Sequence, residues 1–135
     1  MNIFLDTNVF ADAFLNRDDG SAKRALKFLE EQTIELFLND ISIINITYII
    51  RKEFSKYEIS KIIDELLLKH NIVSVSAKII EDANHSKFKD FEDGVQYFCA
   101  KAINADLIIS NNKKDFKMSD INVLTPKEFC LVYVD

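Results

Sequence analysis

The feature that most constrains the fold is an alternation of short apolar runs with amphipathic segments. The apolar runs Ile3–Leu5 and Leu107–Ile109 are three residues long, and Ile72–Val75 is short and β-branched. Glu35–Leu38 and Val123–Leu124 are two further strand candidates. Short, wholly apolar strands separated by helices are typical of a parallel sheet covered on both faces. The sequence therefore predicts a three-layer α/β/α sandwich with a central, mostly parallel sheet.

Between these strands, apolar residues recur with the period of a helix. Ala22, Ala25, Leu26 and Leu29, for example, share one helical face after a cap near Ser21. The predicted helical segments are Ala11–Leu15, Ser21 to about Leu29, Ser42 to about Phe54, Ile59–Leu67, Phe91 to about Ala102, and a terminal turn from Pro126. The predicted order is strand, helices, strand, helices, strand, helix, strand, strand.

Size and composition exclude several classes of protein. With 135 residues, 48% of them hydrophobic, the chain is expected to form one domain over residues 1–135. No run approaches the roughly 18 apolar residues that span a bilayer, so we expect a cytoplasmic protein without a membrane segment. Cys99 and Cys130 lie far apart, which excludes zinc-finger and thioredoxin-like motifs. The net charge of -5 argues against a broadly basic nucleic-acid binder.

Polar residues follow two of the predicted strands at their carboxyl ends. Asp6 follows the first strand, and Ser110, Asn111 and Asn112 follow Leu107–Ile109. Ligands of open α/β sheets bind at this edge, because loops from neighbouring parallel strands meet there. If the two strands are neighbours, both loops line one crevice.

Two further acids are candidates for the same crevice. Asp93 lies in the first turn of a predicted helix, and Asp115 lies just beyond a strand end. Taken singly, Asp6 could cap a helix, Asp93 could complement a helix dipole, and Asp115 could be a solvated loop acid. Together, such carboxylates repel each other, and a hard cation such as Mg²⁺ or Mn²⁺ is the usual compensation.

Four segments, in this order and spacing, carry a resemblance to a known family. They are DTNV at Asp6–Val9, ISIINITYIIR at Ile41–Arg51, DFEDGVQYFCAKAINADLIIS at Asp90–Ser110, and NNKKDF at Asn111–Phe116. They resemble the PIN domain, and more closely the small bacterial PIN proteins related to the toxins of toxin–antitoxin pairs. The resemblance extends from residue 2 to about Phe129. It implies a parallel sheet with helices on both faces and a metal-dependent ribonuclease site.

The resemblance also implies roles for individual residues. The family's acids fall on Asp6, Asp93 and Asp115, which would be catalytic and would hold Mg²⁺ or Mn²⁺. The residues expected to support them are Asn8, Asn45, Asp90, Ser110 and Asn112. Asn45 and Asn112 stand where many PIN proteins have acids. They keep an oxygen acceptor for water or phosphate, so we expect weaker metal binding than in a four-acid site.

Three lysines flank the last acid. Lys113, Lys114 and Lys117 are candidates for binding the backbone of an RNA substrate, and the alternative is an ordinary solvated loop.

Two functions from different classes follow from the resemblance. The first is a metal-dependent endoribonuclease that is the toxin of a toxin–antitoxin pair, with RNA as substrate, a small antitoxin as partner and a homodimer as its assembly. The alternative is a degenerate PIN domain that binds RNA or a protein without cleavage, since Asn45 and Asn112 replace acids.

Overall fold

A computed structural model describes residues 1–135 and contains one five-stranded parallel sheet flanked by helices. The strands are Asn2–Leu5 (β1), Glu35–Asn39 (β2), Asn71–Val73 (β3), Leu107–Ile109 (β4) and Val123–Leu124 (β5). The helices are Thr7–Leu15 (α1), Ser21–Glu30 (α2), Asp40–Ile50 (α3), Lys56–Lys69 (α4), Ala77–Asn84 (α5), Phe91–Ala102 (α6) and Pro126–Phe129 (α7). A 3₁₀ turn, Lys113–Phe116, links β4 to β5, and α7 continues into a wider π-helical turn, Cys130–Val134.

The strand order β3-β2-β1-β4-β5 creates a crevice beside the first strand. From β1 the chain adds β2 and β3 on one side, then crosses back to place β4 on the other side of β1. Leu5 at the end of β1 pairs with Ile109 at the end of β4. Connections therefore leave these two strand ends in opposite directions, which opens the crevice where α/β sheets bind ligands.

Hydrophobic cores lie on both faces of the sheet, as the wholly apolar strands predict. Ile3 and Leu5 of β1 face a core with α1 to α4 and α7, whereas Phe4 faces a second core with α5 and α6. Alternate residues of a strand point to opposite faces, so β1 is buried on both. The predicted three-layer α/β/α fold is confirmed. No helix has the length and apolar character needed to cross a membrane.

The structure corrects several predicted boundaries and adds one helix. The third strand is Asn71–Val73 rather than Ile72–Val75, and the chain forms α5, which the sequence reading did not include. The periodic apolar pattern of this helix is weak, because only Ile79 and Ala83 of α5 are buried. Ser76 caps this helix by accepting a hydrogen bond from the Ile79 backbone N–H.

Two other helices also have different ends from those predicted. Helix α1 begins at Thr7 rather than Ala11, because the Asp6 carboxylate accepts a hydrogen bond from the Thr7 N–H and caps the helix. Helix α3 ends at Ile50 rather than near Phe54. The chain must turn there, since Ser55 and Glu58 form the capping box that starts α4.

Candidate active site

Asp6 lies at the carboxyl end of β1, and its carboxylate is held from all sides. The side chain is buried. Its Oδ1 accepts hydrogen bonds from the Thr7 N–H and from Gln96 Nε2, both at 2.8 Å. Its Oδ2 accepts hydrogen bonds from Ser110 Oγ at 2.7 Å and from Asn8 Nδ2 at 3.1 Å. Burial raises the pKa of Asp6, while these hydrogen bonds act in the opposite direction. The result is a carboxylate with a fixed orientation.

Gln96 of α6 connects Asp6 to the neighbouring strand ends. Its Nε2 also lies within hydrogen-bond distance of Thr7 Oγ1 at 3.0 Å and Ser42 Oγ at 3.1 Å. Its Oε1 accepts a hydrogen bond from Asn39 Nδ2 at the end of β2. All of these side chains are buried. Buried polar groups are costly unless they are paired, so this network fixes the geometry of the crevice.

Asp93 is an acid of the site whose pKa is raised by burial and by its neighbours. It is 7% exposed in the first turn of α6, one helical turn before Gln96. Burial, and then the negative charges of Asp6, Asp90, Asp115 and Glu92, raise the pKa of Asp93 from 3.8 to about 7. No hydrogen bond to its carboxylate offsets this repulsion. Raised pKa values of this kind are common where acids are gathered for function.

The acids line one shared cavity of about 170 Å³ at the crevice. The three predicted acids Asp6, Asp93 and Asp115 all line it, although the sequence separates them widely. Asp90, Asn8 and Asn112 of the predicted supporting residues line it as well. Asp90 caps α6 by accepting a hydrogen bond from the Asp93 N–H at 3.2 Å. These six residues therefore come from three segments that meet at one edge of the sheet: the β1–α1 junction, the start of α6 and the turn after β4.

The remaining predicted residues lie in different surroundings. Ser110 is fully buried and lies behind Asp6, where its hydroxyl accepts a hydrogen bond from the Asn112 N–H at 2.9 Å. Asn45 is half-buried on α3 and is not among the residues that line the cavity. Lys113 pairs with Glu128 at 3.0 Å, whereas Lys114 and Lys117 are exposed.

Five further residues of the site are not predicted from the sequence. Thr7, Arg17, Ile49 and Glu92 line the cavity, and Gln96 donates a hydrogen bond to Asp6. The charges of Asp6 and Asp90, together with loss of solvent, raise the pKa of Glu92. A signal for Gln96 existed, because residues three apart share a helical face and Gln96 follows Asp93 at that spacing. No sequence pattern connects Arg17 with the site, since only the fold brings the end of α1 beside the crevice.

The donor chemistry of the cavity fits a hard divalent cation. Five carboxylates line it, against the single cationic side chain of Arg17. Oxygen ligands of this kind are the ones that Mg²⁺ and Mn²⁺ prefer. No three His, Cys, Asp or Glu side chains are close enough to form a metal-binding cluster. Mutual repulsion favours such a separation between carboxylates.

Comparison with known proteins identifies the family. The sequence profile described as "PIN domain" matches residues 2–114. Ribonuclease VapC1 of Aquifex aeolicus (strain VF5) is 32% identical over 135 residues, an alignment that covers 95% of this chain and 92% of the relative. The chain therefore belongs to the PIN domain family, as the motifs of the sequence predicted.

Solved structures show the same fold. VapBC-1 from nontypeable Haemophilus influenzae contains a chain that matches with a TM-score of 0.70 at 17% identity, covering 94% of this chain and 99% of that chain. VapBC2 from Rickettsia felis, bound to a DNA fragment from the promoter, matches with a TM-score of 0.69 at 22% identity, covering 93% and 98%. At these identities the likeness establishes the fold.

Proposed function

We propose that this protein is a Mg²⁺- or Mn²⁺-dependent endoribonuclease and the toxin of a toxin–antitoxin pair. The observation that carries the proposal is the meeting of Asp6, Asp93 and Asp115 around one cavity at the β1/β4 crevice. The 32% identity to a protein named as a ribonuclease supports RNA as the substrate.

The ion would be held mainly by Asp6 and Asp93. When bound, it supplies positive charge for the phosphoryl oxygens and makes water more acidic, which is the usual contribution of metals to phosphodiester hydrolysis. Asp6 is held in a fixed orientation by Gln96, Ser110, Asn8 and the Thr7 N–H, and an ion would replace one of these four hydrogen bonds at its carboxylate. Such preorganisation is a main source of catalytic stabilisation.

The other polar groups of the cavity would act on water and substrate. Asp115 is exposed at the rim and would orient the attacking water or bind the ion through water. Asn112 adds an amide without adding charge, so it would hydrogen-bond water or the scissile phosphate. Asn45 would take part only through water or a change of rotamer, because it lies outside the cavity lining.

An antitoxin and a second copy of the chain are the proposed protein partners. The neighbours described above were solved as VapBC complexes, which supports a small antitoxin partner. Ile41, Ile44 and Tyr48 form an exposed apolar stripe on α3 at 42%, 67% and 64% exposure, which supports a homodimer. The proposal includes a cytoplasmic location, since the RNA substrate is found there.

The rival function is RNA or protein binding without cleavage, and cleavage assays separate the two. Purified protein is incubated with a structured RNA in Mn²⁺ or Mg²⁺, beside an EDTA control and the Asp93→Asn variant. The proposal predicts cutting that needs the metal and is lost in the variant. RNA binding without cutting under either metal would overturn it and favour the binding module.

A further inference from the structure

A second cavity, lined mainly by lysines, lies next to the acid cavity. It measures about 230 Å³ and is lined by Lys87, Lys89, Lys114 and Lys117, with Asp115 and Met118 among its other residues. These four lysines are called the lysine cleft below. Asp115 also lines the acid cavity, so the two cavities share a wall.

We propose that the lysine cleft binds the phosphate backbone of the RNA on one side of the scissile phosphate and so positions the substrate. This inference rests on the proposed ribonuclease function. It extends the predicted substrate contacts to Lys87 and Lys89, in a segment that the sequence did not connect with the site. It also takes Lys113 out of the set of predicted substrate contacts, because that side chain pairs with Glu128.

The ammonium groups of the cleft are free to bind phosphate. None of its four lysines forms a salt bridge or a side-chain hydrogen bond with the protein, whereas the neighbouring Lys113 pairs with Glu128. Asp115 is the only acid that lines the cleft. In a chain with a net charge of -5, four unpaired lysines in one cleft are a local exception.

The two segments that supply the lysines are tied together by aromatic packing. Phe88 lies between Lys87 and Lys89, and its ring packs edge-to-face on Phe116 at a centroid distance of 6.0 Å. Phe116 is 3% exposed and directly precedes Lys117. Phe116 is buried, and the half-buried Phe88 packs on it while also lining the cleft, so the flanking lysines are carried to the surface beside each other. The cleft is thus built by the fold and is not a chance grouping of mobile side chains.

The chemistry of the cleft favours the backbone over the bases as its target. Lysine is a flexible point charge that suits phosphate oxygens, whereas base recognition needs planar or fixed donors and acceptors. The positive charge of the cleft would also offset the repulsion between the acid cavity and RNA. Five carboxylates repel RNA from the acid cavity, and lysines in the adjoining cleft, which shares Asp115 with that cavity, would attract the RNA backbone.

The salt dependence of RNA binding tests the inference. In the Asp93→Asn background with EDTA, affinity for a labelled, unstructured RNA is measured by fluorescence anisotropy over about 50 to 300 mM salt. Adding Lys87→Gln and Lys89→Gln is expected to weaken binding about tenfold at the lowest salt and to reduce the slope of log K against log salt by about 1.4, which is two phosphate contacts. Lys114→Gln with Lys117→Gln should behave alike.

A matched control separates local contacts from net charge. Lys23→Gln with Lys27→Gln removes the same charge from α2, where these residues line a different cavity. This pair should leave the slope unchanged. In the metal-loaded enzyme, the cleft variants should raise KM and leave kcat near its original value, which a merely structural defect would not do.

The outcomes distinguish this inference from the proposed function. Equal slopes in the cleft variants and the α2 control, with RNA bound by the parent, would overturn the cleft alone. A parent that binds no RNA would overturn both. A lower slope only in the cleft variants supports the inference even if cleavage is slow.

Discussion

The two ends of the candidate site differ in how firmly the fold holds them. Asp6, the inner acid, is buried and accepts four hydrogen bonds at the end of a central strand. Asp115, the outer acid, is exposed in a 3₁₀ turn at the rim of the same cavity. The comparison indicates a division of work, in which the inner end is preorganised for a ligand and the outer end is left free to meet a large substrate.

The largest effect is expected at the inner acid. Asp6→Asn keeps the shape of the side chain but removes the charge that would hold the ion. We expect metal-dependent cleavage to fall by about a thousandfold or more, which corresponds to about 4 kcal/mol. RNA cleavage rates in Mn²⁺ check this, with circular dichroism to confirm folding. Unchanged activity would remove Asp6 from the site.

The network beneath the inner acid should carry the next largest effect. Gln96→Ala removes one of the two hydrogen bonds to Asp6 Oδ1 and leaves buried Asn39 Nδ2 with only a weak contact to Cys99 Sγ at 3.6 Å. We expect the free energy of unfolding to fall by about 2 to 3 kcal/mol, as measured by urea denaturation. Gln32→Ala is the matched control, because Gln32 is exposed, and it should change stability by about 0.5 kcal/mol or less. Equal effects of the two variants would contradict the role of the network.

The raised pKa of Asp93 should make the free energy of unfolding depend on pH. Its pKa is raised to about 7 in the folded state, so the folded state favours the neutral acid. This contribution to stability is complete below about pH 4 and is lost as the pH rises through about 7. In metal-free buffer, Asp93→Asn should therefore match the wild type near pH 4 and exceed it by about 2 kcal/mol at pH 8.

Thermal unfolding at the two pH values measures this difference. A constant offset between Asp93→Asn and wild type across pH would contradict the raised pKa. Added Mn²⁺ should narrow the gap at pH 8, because an ion bound to the wild type stabilises its folded state.

The smallest effect is expected at the outer acid. Asp115→Asn should lower the cleavage rate about tenfold and leave the free energy of unfolding within about 0.5 kcal/mol of the wild type, since the side chain is exposed. Cleavage kinetics and urea denaturation of the same preparation give both values. A loss of activity equal to that of Asp6→Asn would contradict the proposed difference in role between the inner acid, Asp6, and the outer acid, Asp115.

The same contrast explains what the sequence alone could predict. The strands that deliver Asp6 and Ser110 are continuous apolar runs, so their ends and their parallel pairing follow from local pattern. Helix α5 was missed because only Ile79 and Ala83 of its eight residues are buried. For Gln96 the only sequence signal is its spacing of three residues from Asp93, which is weak because a neutral polar residue in an amphipathic helix is ordinary. Lys87 and Lys89 lie in the cleft beside Asp115 only because of the fold, in which Phe88 packs on Phe116.

Direct metal binding tests the central claim that Asp6 and Asp93 form a cation site. Calorimetric titration of Mn²⁺ into the metal-free protein at pH 8 should show one saturable site or more, lost in Asp6→Asn and in Asp93→Asn but kept in Gln32→Ala. Equal Mn²⁺ binding by the wild type and both acid variants, or no binding at all, would contradict the account.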